Sequence, residues 1–154
     1  MMSVRTLIAG MVGLWAVAVG SAVVHTQTPP VQETTASAQS VWDGVYTEEQ
    51  AKRGNAVYTA ECERCHGAGL EGADMAPPLA GGNFVGNWNG QKLSELFERI
   101  RVTMPDGNPG KLTRQQTADV VAYLLSAGKI PAGQTELPTD LAKLTQIKFE
   151  AAKK

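Results

Sequence analysis

The sequence predicts an all-α fold, and three segments with helix signals support this prediction. A first helix begins after the N-cap residue Thr47 and runs through about Glu61. A second begins at residue 92 or 93, carries apolar side chains at helical spacing and ends before Pro105. A third begins after Thr113 and has a continuous apolar face. We therefore expect about three core helices.

Two features of the first helix predict how it starts and what it packs against. Gln50 follows Thr47 by three positions, which is the spacing of a capping box. Gly54 and Tyr58 lie four apart and share one face. Because glycine inside a helix costs about 1 kcal/mol relative to alanine, Gly54 indicates close approach by another element. Tyr123 in the third helix is placed to pack there.

The remaining segments are predicted from turn residues and caps. Residues 67–90 are rich in glycine, proline and asparagine, so we expect a loop without a helix of any length. Asn89 or Ser94 would cap the second core helix, and Gly128 would be the C′ residue of the third. Thr139 would cap a short extra helix near the C-terminus. Its apolar side would be formed by Leu141, Leu144, Ile147 and Phe149.

The string Cys62-Glu63-Arg64-Cys65-His66 has the spacing of a site for covalent attachment of c-type haem. The Cys62 and Cys65 thiols can each add to one vinyl group of the porphyrin, and His66 can bind the iron. A thioredoxin-like redox pair would require a βαβ context, and no β-rich segment precedes the motif. A zinc site would need more ligands, since His25 is the only other histidine. A plain Cys62–Cys65 disulfide would leave His66 unexplained.

The N-terminal stretch predicts export. Arg5 precedes an uncharged apolar run over residues 7–24, the pattern of a secretory signal peptide. Cleavage before Gln39 or before Val23 would remove it, and without cleavage residues 7–24 would remain as a membrane anchor. We expect a periplasmic or exported protein.

These patterns divide the chain into three parts. Residues 1–38 form the signal peptide or anchor plus a flexible spacer, residues 39–130 form the haem domain, and residues 131–154 form a C-terminal extension. The formal net charge is −1 and no basic stripe is present, so a nucleic-acid partner is not expected.

Met104 is the predicted sixth iron ligand. It lies between a helix and a turn, where the backbone can direct its sulfur, and Pro105 stiffens that turn. Met75 is the second candidate, but it follows His66 by only nine positions. His25 belongs to the spacer. A methionine–histidine pair raises the reduction potential relative to two histidines and leaves no open position for a substrate.

Two further residues are predicted to contact the cofactor or its ligand. A ligating histidine usually donates its second N–H to a carbonyl, and Pro77 is our choice for that acceptor, with Pro78 second. Trp88 carries an indole N–H that could reach a haem propionate, or it could simply be half-buried. Asn83, Arg99 and Arg101 are weaker propionate candidates.

On these residues the chain resembles the class I monohaem cytochromes c over roughly residues 48–128. The resemblance rests on Gly54 with Tyr58, the Cys62–His66 motif, Pro77-Pro78-Leu79, Met104-Pro105 and Tyr123. It implies a cytochrome c-like fold around one covalent haem c, with the first and last helices crossing at Gly54. Residues 41–46 and 76–81 also resemble cytochrome domains that accompany periplasmic quinoprotein dehydrogenases.

The expected function is one-electron transfer between a periplasmic dehydrogenase and a respiratory acceptor, without catalysis of its own. Expected partners are redox proteins: a PQQ-dependent dehydrogenase, a terminal oxidase or another cytochrome. Two alternatives remain. The chain could be a membrane-anchored subunit of a larger oxidoreductase, or a haem enzyme or gas sensor with an open iron site.

Overall fold

A computed structural model describes residues 39–153, and this part of the chain is dominated by helices. The predicted all-α class is confirmed: the strands among these residues are two-residue segments that pair in parallel. The predicted signal peptide or anchor, the spacer and His25 lie outside the described residues. The elements are β1 (Gln39–Ser40), a 3-10 turn (Val41–Asp43), α1 (Glu48–Glu61), α2 (Glu63–His66), α3 (Gly81–Trp88), α4 (Leu93–Thr103), α5 (Arg114–Ala127), α6 (Leu141–Leu144) and β2 (Ile147–Lys148).

Helices α1 and α5 form the main packing contact, and they cross at Gly54 as predicted. A Cβ at Gly54 would overlap the backbone carbonyl of Asp119 and lie 2.9 Å from Cβ of Tyr123. The Tyr58 and Tyr123 rings pack with their centroids 5.2 Å apart. Only glycine allows the two backbones to come this close.

Helix α1 starts where predicted, but the capping box is only half formed. The Thr47 hydroxyl accepts a hydrogen bond from the Gln50 N–H at 3.2 Å. The Gln50 side chain does not return to Thr47. It is fully buried, donates to the Leu137 carbonyl at 3.1 Å and accepts from the Leu137 N–H at 2.6 Å. The prediction failed because an unsatisfied buried peptide group competes more strongly for the amide than a solvated helix end.

Helix α5 has the predicted N-terminus and a different C-terminus. Thr113 and Gln116 form a complete capping box. Gly128 is the C-cap residue with φ −73°, so it does not adopt the left-handed conformation expected of a C′ glycine. Lys129 takes that conformation instead, with φ 62°.

The prediction of a loop over residues 67–90 is wrong from residue 81 onward, because Gly81–Trp88 forms α3. The Phe84 ring is buried and packs edge-on against Phe149 at 5.9 Å and beside Trp88 at 6.3 Å. Tertiary burial of this apolar side outweighs the poor helix propensity of its glycines.

Helix α4 begins at Leu93 and ends before Pro105 as predicted, but neither predicted residue caps it. Lys92 is the N-cap residue and makes no side-chain cap. The Asn89 side chain instead accepts from the Ala151 N–H at 2.9 Å, and the Ser94 hydroxyl accepts from Thr145 at 3.1 Å.

The C-terminal segment differs from the predicted helix. Asp140, not Thr139, caps α6, and this helix ends at Leu144. Ile147 and Phe149 are buried, but they follow the helix in and next to β2, where Ile147 pairs with Gln39. The segment after residue 130 also contacts the chain just before α1, where the Gly133 N–H donates to the Tyr46 carbonyl at 2.7 Å.

Candidate functional site

A cavity of about 1250 Å³ opens beside the Cys-x-x-Cys-His motif. One wall is formed by α2 and residues 73–79, a second by α3, and a third by α4 with its C-terminal turn. The end of α1 and two residues of α5 complete it. Its apolar lining includes Pro77, Pro78, Leu79, Phe84, Leu96, Ile100, Val120 and Leu124.

The two cysteines lie one helical turn apart at the edge of this cavity. Helix α1 ends at Glu61, and Cys62 is both its C-cap and the N-cap of α2. The N–H groups of Cys65 and His66 both donate to the Cys62 carbonyl, at 3.1 Å and 3.0 Å. Both thiols are free; Cys62 is half-buried and Cys65 is exposed.

The raised pKa of the Cys62 thiol argues against a redox-active pair formed by Cys62 and Cys65. Burial, with smaller contributions from Glu61 and Cys65, raises the pKa of the Cys62 thiol to about 11. The attacking cysteine of a redox-active pair needs a lowered pKa, because the thiolate is the nucleophile. The Cys62 thiol stays protonated at neutral pH.

His66 is buried and is oriented by the loop that follows it. Its Nδ1 lies 2.8 Å from the Pro77 carbonyl oxygen, whereas Pro78 makes no such bond. A carbonyl can only accept, so Nδ1 donates its proton to it, and in the neutral ring Nε2 then carries the lone pair. This is the contact that the sequence predicts, and it leaves His66 ready to bind a metal through Nε2.

Backbone hydrogen bonds hold the His66 loop in place. The Gly72 N–H donates to the His66 carbonyl at 2.8 Å, and the Leu79 N–H donates to the Leu70 carbonyl at 2.9 Å. The Tyr58 hydroxyl donates to the Gly67 carbonyl at 2.6 Å, which ties the residue after His66 to α1. This role of Tyr58 was not predicted from the sequence, although Tyr58 lies one helical turn before Cys62.

Met104 and Met75 both border the cavity, but on different walls. Met104 is partly buried, ends α4 and has an extended backbone with φ −121° and ψ 154°. Met75 is 97% exposed and lies in a turn closed by the Ala73–Ala76 pair. That turn belongs to the cavity wall formed by α2 and residues 73–79, which also carries His66.

The predicted propionate candidates separate into two groups. Trp88 is half-buried and lines the cavity, and its indole N–H makes no hydrogen bond within residues 39–153. Arg99 also lines it and is exposed. Asn83 lies outside the lining, and Arg101 is bound to Glu98 at 2.7 Å. Asn87, which was not predicted from the sequence, also lines the cavity one residue before Trp88.

A haem c fits this set of residues. The cavity exceeds the roughly 300–1,000 Å³ of ordinary small-molecule pockets, as a large macrocycle requires. Two free thiols, an imidazole with an available Nε2 and a thioether border it. Among the described residues, no three His, Cys, Asp or Glu side chains come together to hold a bare metal ion, so the zinc alternative lacks ligands.

Two charged residues at the cavity were not predicted from the sequence. The Lys111 ammonium lies 2.7 Å from both carboxylate oxygens of Glu61. The available signal was Glu61 itself, a carboxylate at the C-terminal end of a helix, where the dipole disfavours negative charge.

Residues 39–153 contain no helix long and apolar enough to cross a membrane. The candidate anchor at residues 7–24 lies outside this range.

Known proteins resemble this chain in sequence and in fold. The family model described as cytochrome C oxidase, cbb3-type, subunit III matches residues 49–124. The crystal structure of the sulfane dehydrogenase SoxCD from Paracoccus pantotrophus is similar, with a TM-score of 0.52 and 23% sequence identity. That match covers 70% of this chain and 61% of the SoxCD chain, which is less than two thirds of the latter. No curated protein matches the chain significantly.

The matched segment contains the whole Cys-x-x-Cys-His motif, the cavity walls and Met104. The SoxCD likeness supports the fold, and the family match supports the cofactor. The chain is therefore a monohaem cytochrome c, with an all-α fold and a covalently attached haem c as its cofactor.

Proposed function

We propose that this cytochrome is an exported one-electron carrier with His66 and Met104 as its iron ligands. It would pass electrons between a periplasmic dehydrogenase and a respiratory acceptor. The observation that carries the proposal is the placement of the two side chains on different walls of one cavity. Two protein ligands would close the iron to oxygen, peroxide and other substrates.

Each residue of the site has a distinct part in this function. When bound, haem c supplies a reversible one-electron ferric/ferrous couple. Cys62 and Cys65 would hold it by thioether bonds, and His66 would bind the iron through Nε2 while Pro77 fixes its ring. The Met104 thioether would favour the ferrous state and so raise the reduction potential.

The cavity also offers groups for the haem propionates. The Trp88 indole N–H points to no described partner, and Arg99 is a cation at the same cavity without an ion pair in residues 39–153. Both could donate charge-assisted hydrogen bonds to carboxylates. Arg101 is less suited, since Glu98 already occupies its guanidinium.

Carbon monoxide binding tests the proposed ligation. The ferrous holoprotein should bind CO very weakly, whereas Met104→Ala should bind it readily and have a lower reduction potential. Met75→Ala is the matched control, because Met75 borders the same cavity but is 97% exposed. Strong CO binding by the unmutated protein would instead support a haem enzyme or gas sensor.

A second candidate function is that of a cytochrome subunit within a larger oxidoreductase. The matching family model describes an oxidase subunit, and the similar solved structure is a dehydrogenase. A PQQ-dependent dehydrogenase, a terminal oxidase or another cytochrome are the partners to test first. Co-purification of the native protein at its natural expression level would distinguish a stable subunit from a free carrier.

Export and anchoring can be tested on the same native material. We expect intact-mass measurement to give a haem adduct that begins at Gln39 or Val23. A mass that retains residues 7–24 would favour the membrane-anchored subunit.

A further inference from the structure

An ion pair joins the end of α1 to the loop that carries Met104. The Lys111 ammonium contacts both Oε1 and Oε2 of Glu61 at 2.7 Å. The two side chains are 47% and 23% exposed, respectively, and both border the haem cavity. Glu61 immediately precedes Cys62, while Lys111 follows Met104 by seven positions.

The loop between Met104 and Leu112 has few other attachments. Residues 106–111 are all exposed. The backbone hydrogen bonds of this loop are internal: Asn108 N–H to the Pro105 carbonyl at 3.0 Å, and Lys111 N–H to the Asn108 carbonyl at 3.3 Å. Across the part of the chain that the structure describes, the Lys111 ammonium makes the hydrogen bonds that join residues 105–111 to another element.

The position of Glu61 makes its ion pair with Lys111 more favourable than an ordinary ion pair on the protein surface. Glu61 is the last residue of α1, where the helix dipole disfavours a carboxylate. A lysine held there compensates the negative end of the helix as well as the carboxylate. Because the pair is partly exposed, its contribution will weaken as salt concentration rises.

We propose that Glu61 and Lys111 are positioning residues that hold residues 105–111, the loop that follows Met104, against the C-terminal end of α1 next to Cys62. The pair restrains the loop, so Met104 leaves the iron less often and external ligands gain less access. The inference rests on the proposed role of Met104 as the sixth ligand. It assigns no chemical step to either residue.

Imidazole binding to the ferric holoprotein measures how readily Met104 is displaced. At one fixed pH and low salt, Lys111→Gln and Glu61→Gln should each bind imidazole roughly two- to five-fold more tightly than the unmutated protein. Raising the salt concentration should reduce this difference, because screening already weakens the pair in the unmutated protein.

Two further variants separate the pair from a general charge effect. Lys52→Gln is the matched control, since it breaks the exposed Lys52–Glu49 pair within α1 and removes one positive charge without freeing the loop. It should leave imidazole affinity unchanged. The exchanged variant Glu61→Lys/Lys111→Glu should restore much of the original affinity, whereas Glu61→Lys alone should bind imidazole most tightly.

The outcomes distinguish this inference from the proposed function. If Met104→Ala opens the iron but Lys111→Gln and Glu61→Gln match the unmutated protein, the positioning role is wrong and Met104 ligation stands. Equal effects of Lys52→Gln and Lys111→Gln, or no recovery in the exchanged variant, would also overturn it. If imidazole binding is already tight and Met104→Ala does not change it, the proposed ligation itself fails.

Discussion

Tyr58 connects the packing of the helices with the geometry of the haem site. Its ring packs against Tyr123, and its hydroxyl donates to the Gly67 carbonyl at 2.6 Å, next to His66. Tyr58→Phe keeps the ring but leaves this carbonyl without its partner. We expect the free energy of unfolding to fall by about 1–2 kcal/mol. Denaturant unfolding of the holoprotein measures this change.

Tyr58 should also make the free energy of unfolding depend on pH. Burial, with a smaller contribution from Tyr123, raises the pKa of the Tyr58 phenol from 10.0 to about 12. The neutral phenol is therefore favoured by folding: its contribution is fully present below pH 10 and is lost as pH rises towards 12. Thermal unfolding between these pH values should show a shallower loss of stability in Tyr58→Phe. An identical slope in both proteins would contradict this assignment.

At the residue scale, the sequence was most informative where chemistry depends on local spacing. The spacing of Cys62, Cys65 and His66 indicated the cofactor, and Pro77 lies where its carbonyl can accept from His66. The Glu61–Lys111 pair was not predictable in this way. Its partners are separated by 50 positions, and only the fold brings them together.

At the scale of elements, α1 and α5 can cross this closely only because Gly54 has no side chain. Gly54→Ala would place a methyl group into the backbone carbonyl of Asp119, so the helices must move apart. We expect a loss of about 3 kcal/mol or more in the free energy of unfolding. Chemical denaturation of the holoprotein provides the measurement.

Gly86→Ala is the matched control, because a Cβ at this helical glycine in α3 meets nothing within 4 Å. It should be neutral or stabilise the protein by up to about 1 kcal/mol. Similar destabilisation by both substitutions would show that helical glycines here matter for a reason other than contact between α1 and α5.

The elements predicted correctly are those with strong local signals. Thr113 indicated the start of α5, and Pro105 indicated the end of α4. Helix α3 was missed because its stability comes from burial of Phe84 against Phe149, which local composition does not reveal. The Gln50 side chain was assigned to a local cap, whereas it binds a peptide group 87 positions away.

At the scale of the whole molecule, the C-terminal segment is attached to the helices through Gln50. This side chain is fully buried and satisfies both the N–H and the carbonyl of Leu137, which is 2% exposed. Gln50→Ala would leave both buried groups without partners. We expect the free energy of unfolding to fall by about 2–4 kcal/mol, measured by thermal or denaturant unfolding.

Gln91→Ala serves as the control for this substitution. The Gln91 side chain is exposed, and its backbone carbonyl accepts a hydrogen bond from the Phe149 N–H at 2.9 Å, which the substitution keeps. Its effect should stay within about 0.5 kcal/mol. A comparable loss in both variants would argue against a special role for the Gln50–Leu137 bonds.

The central claim for the whole molecule is that Met104 completes the coordination of the haem iron. The chain has 5 methionines. If one of them binds the iron, its methyl group would experience the ring current of the porphyrin, which would shift the methyl resonance far upfield. The most direct measurement is therefore an NMR spectrum of the ferrous holoprotein with methyl-labelled methionine. One strongly upfield-shifted methyl resonance should be present, persist in Met75→Ala and disappear in Met104→Ala. The absence of such a resonance, or its persistence in Met104→Ala, would contradict the account.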